Sequence, residues 1–314
     1  MTNDNAESVR DRLIAEALAG YGWTDAHWRL IRHNENITCR VEAKGRAYAL
    51  RIHRPVAGFS FALLEDGQTP AERMESETEL LRYLTSRGFP GLQQPVADAA
   101  GQYVRVLSDG SPVHALTWVD GEALTRETGL PYARDIGKMS AALCDAAAGF
   151  PGKRYQYDET LVDRCAEELC RAEELKHIDP TALDACVHAL GVIRAAITRQ
   201  RNLGDWGIIH ADLNFDNILL TPQGLTPIDF SFSGYGCAAQ ECAMIESACE
   251  NAEAASRVRE GFAQAGKPLT RAETAPFVAF NTLLFLCMQH DRVHGLDWYP
   301  QALERWCKTQ FLPL

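Results

Sequence analysis

The hydrophobic pattern of this chain changes near residue 118, and the change predicts two unlike parts. Before that point, apolar residues alternate with polar ones over short runs separated by turn signals, as in antiparallel strands. After it, apolar residues recur at helical spacing over long stretches. The sequence therefore predicts an α+β protein with the domains 1–118 and 119–314. Five strands are predicted in the first domain, at 27–33, 36–42, 46–53, 102–107 and 112–118.

Helices complete both domains. In the first, helical patterns cover 7–19, ahead of the sheet, and 71–87, between its third and fourth strands. The sequence thus predicts a small lobe with a five-stranded antiparallel sheet and a helix, followed by a large, mostly helical lobe. Short strand-like runs interrupt the large lobe at 207–209, 218–220 and 225–228. Its predicted helices are 131–149, 158–177, 180–201, 238–265, 271–291 and 297–309.

The chain is acidic, with 31 Lys and Arg residues against 42 Asp and Glu residues and a net charge of −11. The first domain carries 13 basic and 15 acidic residues, a net −2, so −9 of the total lies in the second. This charge gives no attraction to nucleic acid or to an anionic membrane, and neither partner is expected.

The lack of an apolar run of about 18 residues and of a signal-peptide pattern predicts a cytoplasmic protein. The cysteines form no Cys-x-x-Cys pair, which argues against a disulfide framework or a cysteine zinc site.

A polar loop between two short apolar runs carries the clearest chemical signal. His210, Asp212 and Asn217 follow the first run, and Asp229 ends the strand-like run that comes next. Because these runs are predicted to be short strands, we expect Asp212, Asn217 and Asp229 to meet at one edge. Two carboxylates and an amide oxygen are ligands that suit Mg²⁺. The alternative is that His210 and Asp212 form a hydrogen-bonded pair in a loop without catalytic function.

The spacing His-x-Asp-x-x-x-x-Asn, with an Asp-Phe pair twelve residues after the asparagine, resembles the kinase signature. Over about residues 25–290 the chain is similar to the aminoglycoside phosphotransferase and choline kinase family, also called the phosphotransferase enzyme family. The resemblance implies a protein-kinase-like two-lobed fold, with ATP and Mg²⁺ as cofactors. By position, Asp212 matches the catalytic aspartate that accepts the proton of the acceptor hydroxyl or orients it, and His210 matches the residue that supports the loop. Asn217 and Asp229 match the two magnesium ligands.

Three positions near this loop depart from the family pattern. Asp216 stands where a glycine is usual, and Asn214 where a histidine is common. Asp216 is expected to be a solvated carboxylate without a role in metal binding. Ser231 follows the Asp-Phe pair in the place of a second acid, so the family's way of holding a second metal ion does not transfer to this chain.

In the first domain the resemblance places the nucleotide-binding residues. Arg51, on the third strand, occupies the position of a phosphate-binding lysine, and arginine keeps the charge while changing its geometry. Its partner is expected to be Glu77 on the following helix, because apolar residues three, four and seven positions later put Glu77 on the buried face. Glu75 and Glu79 are the alternatives. Asn36 lies in an Asn-rich turn that replaces a glycine-rich loop, although an ordinary hairpin turn would look the same.

Together these residues predict an ATP- and Mg²⁺-dependent kinase that phosphorylates a hydroxyl of a small molecule. The alternatives are a bacterial protein Ser/Thr kinase of the same fold and a nucleotide-binding pseudokinase with a regulatory role. Retention of Asp212 argues against the pseudokinase, since a binding module needs no group to accept a proton. The net −9 of the second domain favours a cationic or polar neutral acceptor, such as an amino sugar or an amino alcohol. Candidate acids for the acceptor pocket are Glu241, Glu246, Asp291 and Asp297.

Overall fold

The chain divides into two compact units in a computed structural model. The functions assigned to domains 1–118 and 119–314 from the sequence stay predictions. The first unit, here called the sheet unit, comprises residues 1–59, 67–86 and 90–120. The second, the helical unit, comprises residues 60–66, 87–89 and 121–314. The structure describes residues 3–56 (side chains from residue 7), 62–65, 67–249 and 251–314.

The sheet unit contains one antiparallel sheet and two helices. Its elements are α1 (Asn3–Gly20), β1 (His27–His33), β2 (Asn36–Ala43), β3 (Arg46–His53), α2 (Pro70–Ser86), β4 (Pro95–Val96), β5 (Val104–Val106) and β6 (Pro112–Thr117). The strand order is β1-β2-β3-β6-β4, and β5 also pairs with β6. All of these pairs are antiparallel. The five predicted strands are confirmed, and β4 was missed because two residues are too few to show alternation.

Local sequence explains the hairpin between β2 and β3. Lys44 and Gly45 have φ angles of 51° and 73°, the left-handed pair that a tight two-residue hairpin turn requires. On the inner face of the sheet, Leu13 and Ile14 of α1 join Leu50 of β3 in one buried cluster. This packing fixes β2 and β3, the strands that carry Asn36 and Arg51.

The helical unit contains the other α-helices of the described residues and several short strands. Its elements are β7 (Glu122–Ala123), α3 (Arg126–Gly129), α4 (Ala133–Ala147), β8 (Tyr155–Gln156), α5 (Glu159–Glu174), α6 (Pro180–Asn202), β9 (Gly207–Ile209), β10 (Ile218–Thr221), β11 (Gly224–Pro227), β12 (Gly234–Gly236), α7 (Ala238–Ala248), α8 (Ala252–Gln264), α9 (Arg271–Val293) and α10 (Tyr299–Trp306). A short π-helical turn, Cys307–Phe311, follows. Two small sheets, ordered β11-β10-β7 and β8-β12-β9, hold the predicted polar loop at its ends.

One predicted helix of this unit is wrong. The helix expected at 238–265 is two helices, because Cys249 has an extended backbone and Asn251 caps α8. The Asn251 side chain accepts a hydrogen bond from the Ala254 N–H at 2.8 Å, which satisfies one of the unpaired donors of the first turn. Apolar spacing continues across the break, so periodicity alone could not reveal it.

Helix α6 is long and apolar enough to span a bilayer by length and composition. One face of this helix, which includes Ala189, Ile193 and Ile197, is buried in the main core of the helical unit, and Val187 is exposed on the other face. This is the pattern of an amphipathic helix packed against a core. The ten cysteines, all within the described ranges, are free thiols, as their spacing predicts.

Candidate active site

The polar loop between β9 and β10 is ordered by its own alternating sequence. Leu213 and Phe215 are buried in a core cluster of the helical unit, so Asp212 and Asn214 turn to the opposite side of the chain. Asp216 is exposed, as expected of a solvated carboxylate. The alternation therefore anchors the loop through its apolar residues and presents its polar ones.

Asp212 is held by two amides of the same loop. Asn217 Nδ2 donates to Asp212 Oδ2 at 2.8 Å, and Asn214 Nδ2 donates to Asp212 Oδ1 at 3.1 Å. Asn217 Nδ2 also donates to the Asp212 backbone carbonyl at 2.8 Å. Because the carboxylate only accepts, Asn217 must offer its NH₂ group and turn its Oδ1 away. Asp212 and Asn217 are thus brought together, as the sequence predicts.

Asp229 reaches the same region through its backbone neighbour. The Ile228 N–H donates to the Asn217 carbonyl at 2.9 Å, and His210 Nε2 donates to the Ile228 carbonyl at 3.0 Å. His210 is fully buried, which agrees with a supporting position behind the loop. Ser231 Oγ donates to Asp229 Oδ1 at 2.6 Å, so the residue in place of the second acid orients the first.

The backbone is strained at two points of this site. Ala211 and Asp229 have φ angles of 62° and 66°, in the left-handed region that residues with a Cβ rarely adopt. One precedes Asp212 and the other is the second predicted metal ligand. Such strain persists only where surrounding contacts determine the conformation.

Glu241 of α7 supplies one such contact. Its Oε2 accepts a hydrogen bond from the Ala211 N–H at 3.0 Å, and its Oε1 accepts from Ser140 Oγ at 3.2 Å. Burial raises the pKa of Glu241 to about 7, against the lowering effect of these hydrogen bonds, and the charge of Asp212 raises it further. Glu241 was among the candidate acids for an acceptor pocket, but the structure places it behind the loop instead.

Arg154 holds the segment that follows Asp229, and sequence reasoning missed it. Its buried guanidinium donates to the Phe230 carbonyl at 2.7 Å and to the Ser231 carbonyl at 2.9 Å. It also donates to the Ser233 carbonyl at 2.9 Å and to Ser233 Oγ at 2.7 Å. These partners lie more than seventy residues away along the chain, so no local sequence pattern near Arg154 predicts the contact.

The donor set at this loop fits Mg²⁺. Asn217 Oδ1 and the Asp229 carboxylate are hard oxygen ligands, and magnesium takes few protein ligands because it keeps several waters. The Ile228–Asn217 hydrogen bond ties together the two backbone segments that carry them. Thiolate or imidazole ligands, which favour zinc, are not part of this donor set.

In the sheet unit, Arg51 and Glu77 form a buried ion pair. Arg51 Nη1 donates to Glu77 Oε1 at 2.8 Å, and the two side chains are 6% and 5% exposed. The alternatives Glu75 and Glu79 are exposed on α2, so the structure selects Glu77 as the partner. The role of this pair in nucleotide binding stays a prediction.

Asn36 is buried at the start of β2, close to this pair along the sheet. Asn36 Oδ1 lies 3.3 Å from His53 Nδ1 on the neighbouring strand. Burial lowers the pKa of His53 to about 4, and the charges of Arg73 and Arg51 lower it further. His53 is therefore neutral near pH 7 and donates to Asn36.

The other candidate acids of the acceptor pocket lie in different surroundings. Glu246 is buried, pairs with Arg259 and accepts a hydrogen bond from Thr274 Oγ1 at 2.8 Å. Asp291 joins a cluster of histidines at the end of α9, and Asp297 is exposed.

Comparisons with known proteins show which family model and which relatives this chain resembles. The model of the phosphotransferase enzyme family matches residues 27–277. A homoserine kinase of Phenylobacterium zucineum is 28% identical over 276 residues, which cover 82% of this chain and 77% of that protein. An uncharacterized protein of Deinococcus radiodurans is 29% identical over 307 residues, covering 89% and 83% of the two chains.

Solved structures share the fold. A microcompartment-associated aminopropanol kinase superposes with a TM-score of 0.74 at 22% identity, over 95% of this chain and 94% of its own. An amicoumacin kinase in complex with AMP-PNP, Ca²⁺ and its ligand gives a TM-score of 0.74 at 16% identity, over 98% and 95%. These similarities confirm the protein-kinase-like fold that the family resemblance implies.

Proposed function

Because this chain belongs to the phosphotransferase enzyme family and is a small-molecule kinase with an alcohol group as acceptor, we propose that it transfers the γ-phosphate of ATP, with Mg²⁺, to a small amine-bearing alcohol. The observation that carries the proposal is the position of Asp212. Two amides, from Asn214 and Asn217, fix its carboxylate without neutralising it. A carboxylate held this way is prepared to accept a hydroxyl proton.

In the proposed reaction each residue has one role. Asp212 orients the acceptor hydroxyl and takes its proton as the oxygen attacks the γ-phosphorus. The bond from that phosphorus to the bridging oxygen breaks, and ADP leaves with the electron pair. Asn217 and Asp229 hold Mg²⁺, which neutralises charge on the phosphates when it is bound. Arg51, oriented by Glu77, binds the phosphates of ATP, and the turn at Asn36 covers them. Arg154 and Glu241 keep the loop in position and touch no reacting atom.

The acceptor class rests on two kinds of support. Similar proteins are named for homoserine, aminopropanol and ethanolamine, each of which joins an amino group to a hydroxyl. The second domain's net −9 attracts cations from solution, an effect that added salt weakens. Small-molecule acceptors are also the substrates named for these relatives, which favours them over a protein acceptor.

A substrate panel tests this proposal directly. ATP consumption is measured with homoserine, aminopropanol, ethanolamine and choline, and with an anionic hydroxy acid for comparison. Asp212→Asn is the inactive control, and Asp216→Asn, an exposed acid in the same loop, is the matched control that keeps activity. Turnover of the hydroxy acid alone would overturn the acceptor class, and equal turnover by Asp212→Asn would overturn the mechanism.

The metal assignment has its own test. Calorimetric titration of ATP with Mg²⁺, or with excess chelator, gives the metal dependence of nucleotide binding for the wild type and for Asp229→Asn. We expect Asp229→Asn to lose most of this dependence and Asp216→Asn to retain it. Unchanged dependence in Asp229→Asn would remove that residue from the metal site.

A further inference from the structure

A cluster of histidines and acids lies in the helical unit, apart from the polar loop in sequence. It combines Glu168 and Arg171 of α5, His177 just after that helix, and His290 and Asp291 near the end of α9. Helix α5 ends in a turn that brings His177 back toward α9. Lys176 is left-handed at φ 63°, and the His177 N–H donates to the Ala172 carbonyl at 2.8 Å.

Three atoms of the cluster face one another. His177 Nδ1 lies 2.8 Å from His290 Nδ1 and 3.4 Å from Asp291 Oδ1, and His290 Nδ1 lies 3.6 Å from the same oxygen. Ligands about 2.1 Å from a tetrahedral zinc ion are separated from each other by about 3.4 Å. The triangle formed by these atoms is therefore close to one face of a tetrahedral site. The two imidazoles need to separate by about half an ångström, and the proton shared between the two Nδ1 atoms must leave when the ion binds.

The surrounding contacts prepare His290 as a ligand. Its Nε2 lies 2.6 Å from Glu168 Oε1, and since a carboxylate only accepts, Nε2 carries the proton and Nδ1 keeps a lone pair. His290 is 1% exposed, so this arrangement is built into the core. Arg171 Nη2 lies 3.2 Å from the same Nε2, but a guanidinium can only donate and the shorter carboxylate contact sets the tautomer. A carboxylate on the distal nitrogen is the usual support of a metal-binding histidine.

Further contacts orient the other two ligands. Arg171 Nη2 donates to Asp291 Oδ2 at 2.9 Å, which turns Oδ1 toward the histidines. The ring of His294 stacks on that of His177 with centroids 3.7 Å apart, which fixes its plane. With neutral imidazoles, the two carboxylates and the guanidinium leave the cluster with one excess negative charge, which favours a cation.

We propose that His177, His290 and Asp291 form a binding site for a divalent transition metal ion, with Zn²⁺ as the natural occupant. Two imidazoles and a carboxylate suit zinc rather than magnesium, so the site does not compete with the polar loop for Mg²⁺. The Asp291 side chain is 57% exposed, which leaves the fourth coordination position to water. The bound ion joins the end of α5 to the end of α9.

Zinc titration of the metal-stripped full chain tests the proposal. Calorimetry is run with excess Mg²⁺, in a Cys170→Ser background because Cys170 is an exposed free cysteine and thiolates are zinc ligands. We expect one zinc ion per chain, a higher melting temperature with zinc, and the visible absorption of four-coordinate Co²⁺ on cobalt substitution. No binding by this protein would overturn the proposal and leave the cluster as a hydrogen-bonded network.

Variants then locate the ion. His177→Gln and Asp291→Asn are expected to lose the cobalt absorption and at least ~10-fold in zinc affinity, whereas His188→Gln, an exposed histidine on α6, keeps both. Glu168→Gln keeps all three ligands and is expected to weaken binding ~10–100-fold while retaining the cobalt absorption. Because Asp291 is largely exposed, Asp291→Asn folds even if His177→Gln does not. Wild-type affinity in Asp291→Asn would overturn the assignment.

Discussion

Two buried acids, Glu77 of the sheet unit and Glu241 of the helical unit, are held in different ways. In the sheet unit, Arg51 and Glu77 compensate each other in one contact of 2.8 Å. In the helical unit, Glu241 is fully buried and accepts from neutral donors, the Ala211 N–H and Ser140 Oγ. The first arrangement places an opposite charge beside each group. In the second, burial raises the pKa of the acid to about 7, because hydrogen bonds from neutral donors offset only part of the cost of desolvation.

This difference extends to the response to pH. In the sheet unit, the pKa of His53 is lowered to about 4, so the native state resists taking up a proton. In the helical unit, the pKa of Glu241 is raised, so the native state retains one. Acidification below neutrality therefore destabilises one unit through His53 and stabilises the other through Glu241.

The largest effect is expected at the group that acts on the substrate. Asp212→Asn removes the proton acceptor, and kcat should fall ~10²–10⁴-fold. Steady-state kinetics with any accepted substrate measures the loss, and calorimetry with ATP checks that nucleotide binding survives. The kcat of Asp216→Asn should stay within about two-fold of the wild-type value, which is about the experimental error of such a comparison. A comparable loss in both variants would mean that loop charge, rather than Asp212, controls turnover.

The compensated pair is broken by Glu77→Ala. Loss of the Glu77 carboxylate from beside the buried guanidinium of Arg51 should lower the free energy of unfolding by ~3–5 kcal/mol. Urea unfolding measures this change, with Glu75→Ala on the exposed side of α2 as the control, expected within about 0.5 kcal/mol. A double-mutant cycle with Arg51→Ala should show strong coupling. Additive effects would contradict a mutual role for the pair.

The uncompensated acid is probed by Glu241→Gln. The ordinary pKa of a glutamate is 4.5, and that of Glu241 in the native state is about 7. Between these two pH values the native state binds a proton that the unfolded chain has released, so the free energy of unfolding falls as the pH rises. The full change is about 3 kcal/mol or less, and glutamine should abolish it. Hydrogen exchange of helical-unit peptides at pH 5 and pH 8 measures the slope, with exposed Glu253→Gln as the control. A slope that survives in Glu241→Gln would belong to another group.

The smallest effect is expected at His53, whose ring is partly exposed. Between its ordinary pKa of 6.5 and about 4, the unfolded chain binds a proton that the native state rejects, so stability falls as pH drops. We expect about 2 kcal/mol, less than the shift implies because solvent screens the ring. His53→Gln should flatten this dependence in hydrogen exchange of sheet-unit peptides, and His27→Gln, exposed on β1, should not. Equal slopes in both variants would assign the dependence elsewhere.

The pair in the sheet unit was predictable although its two residues lie 26 positions apart. The family resemblance implies the pairing, and apolar residues at three, four and seven positions after Glu77 place it on the buried face of α2. The Asp212–Asn217 contact was predictable because both residues lie in one loop whose spacing resembles a kinase motif. In each case a motif of the family marks the residues.

The supports of the loop were not predictable, because their partners are distant in sequence. Arg154 contacts residues 76 to 79 positions later, and Glu241 contacts Ala211 thirty positions earlier. Composition alone made Glu241 a candidate for the acceptor pocket, since an acid on a helix is normally solvated. The break between α7 and α8 has a local signal, the capping side chain of Asn251, that apolar spacing obscured.

The left-handed backbone at Ala211 and Asp229 has a consequence for how this loop can be altered. Each such residue costs about 1 kcal/mol relative to glycine, so glycine at either position would relieve strain, and at Asp229 it would also remove the proposed metal ligand. The same change would widen the set of conformations that the loop samples, and the orienting contacts would then hold Asp212 in place for a smaller fraction of the time. Substrate would meet fewer competent molecules, and the apparent affinity would fall by that fraction. At these two positions, a change that relieves strain in the loop would therefore lower the fraction of molecules that are ready to react.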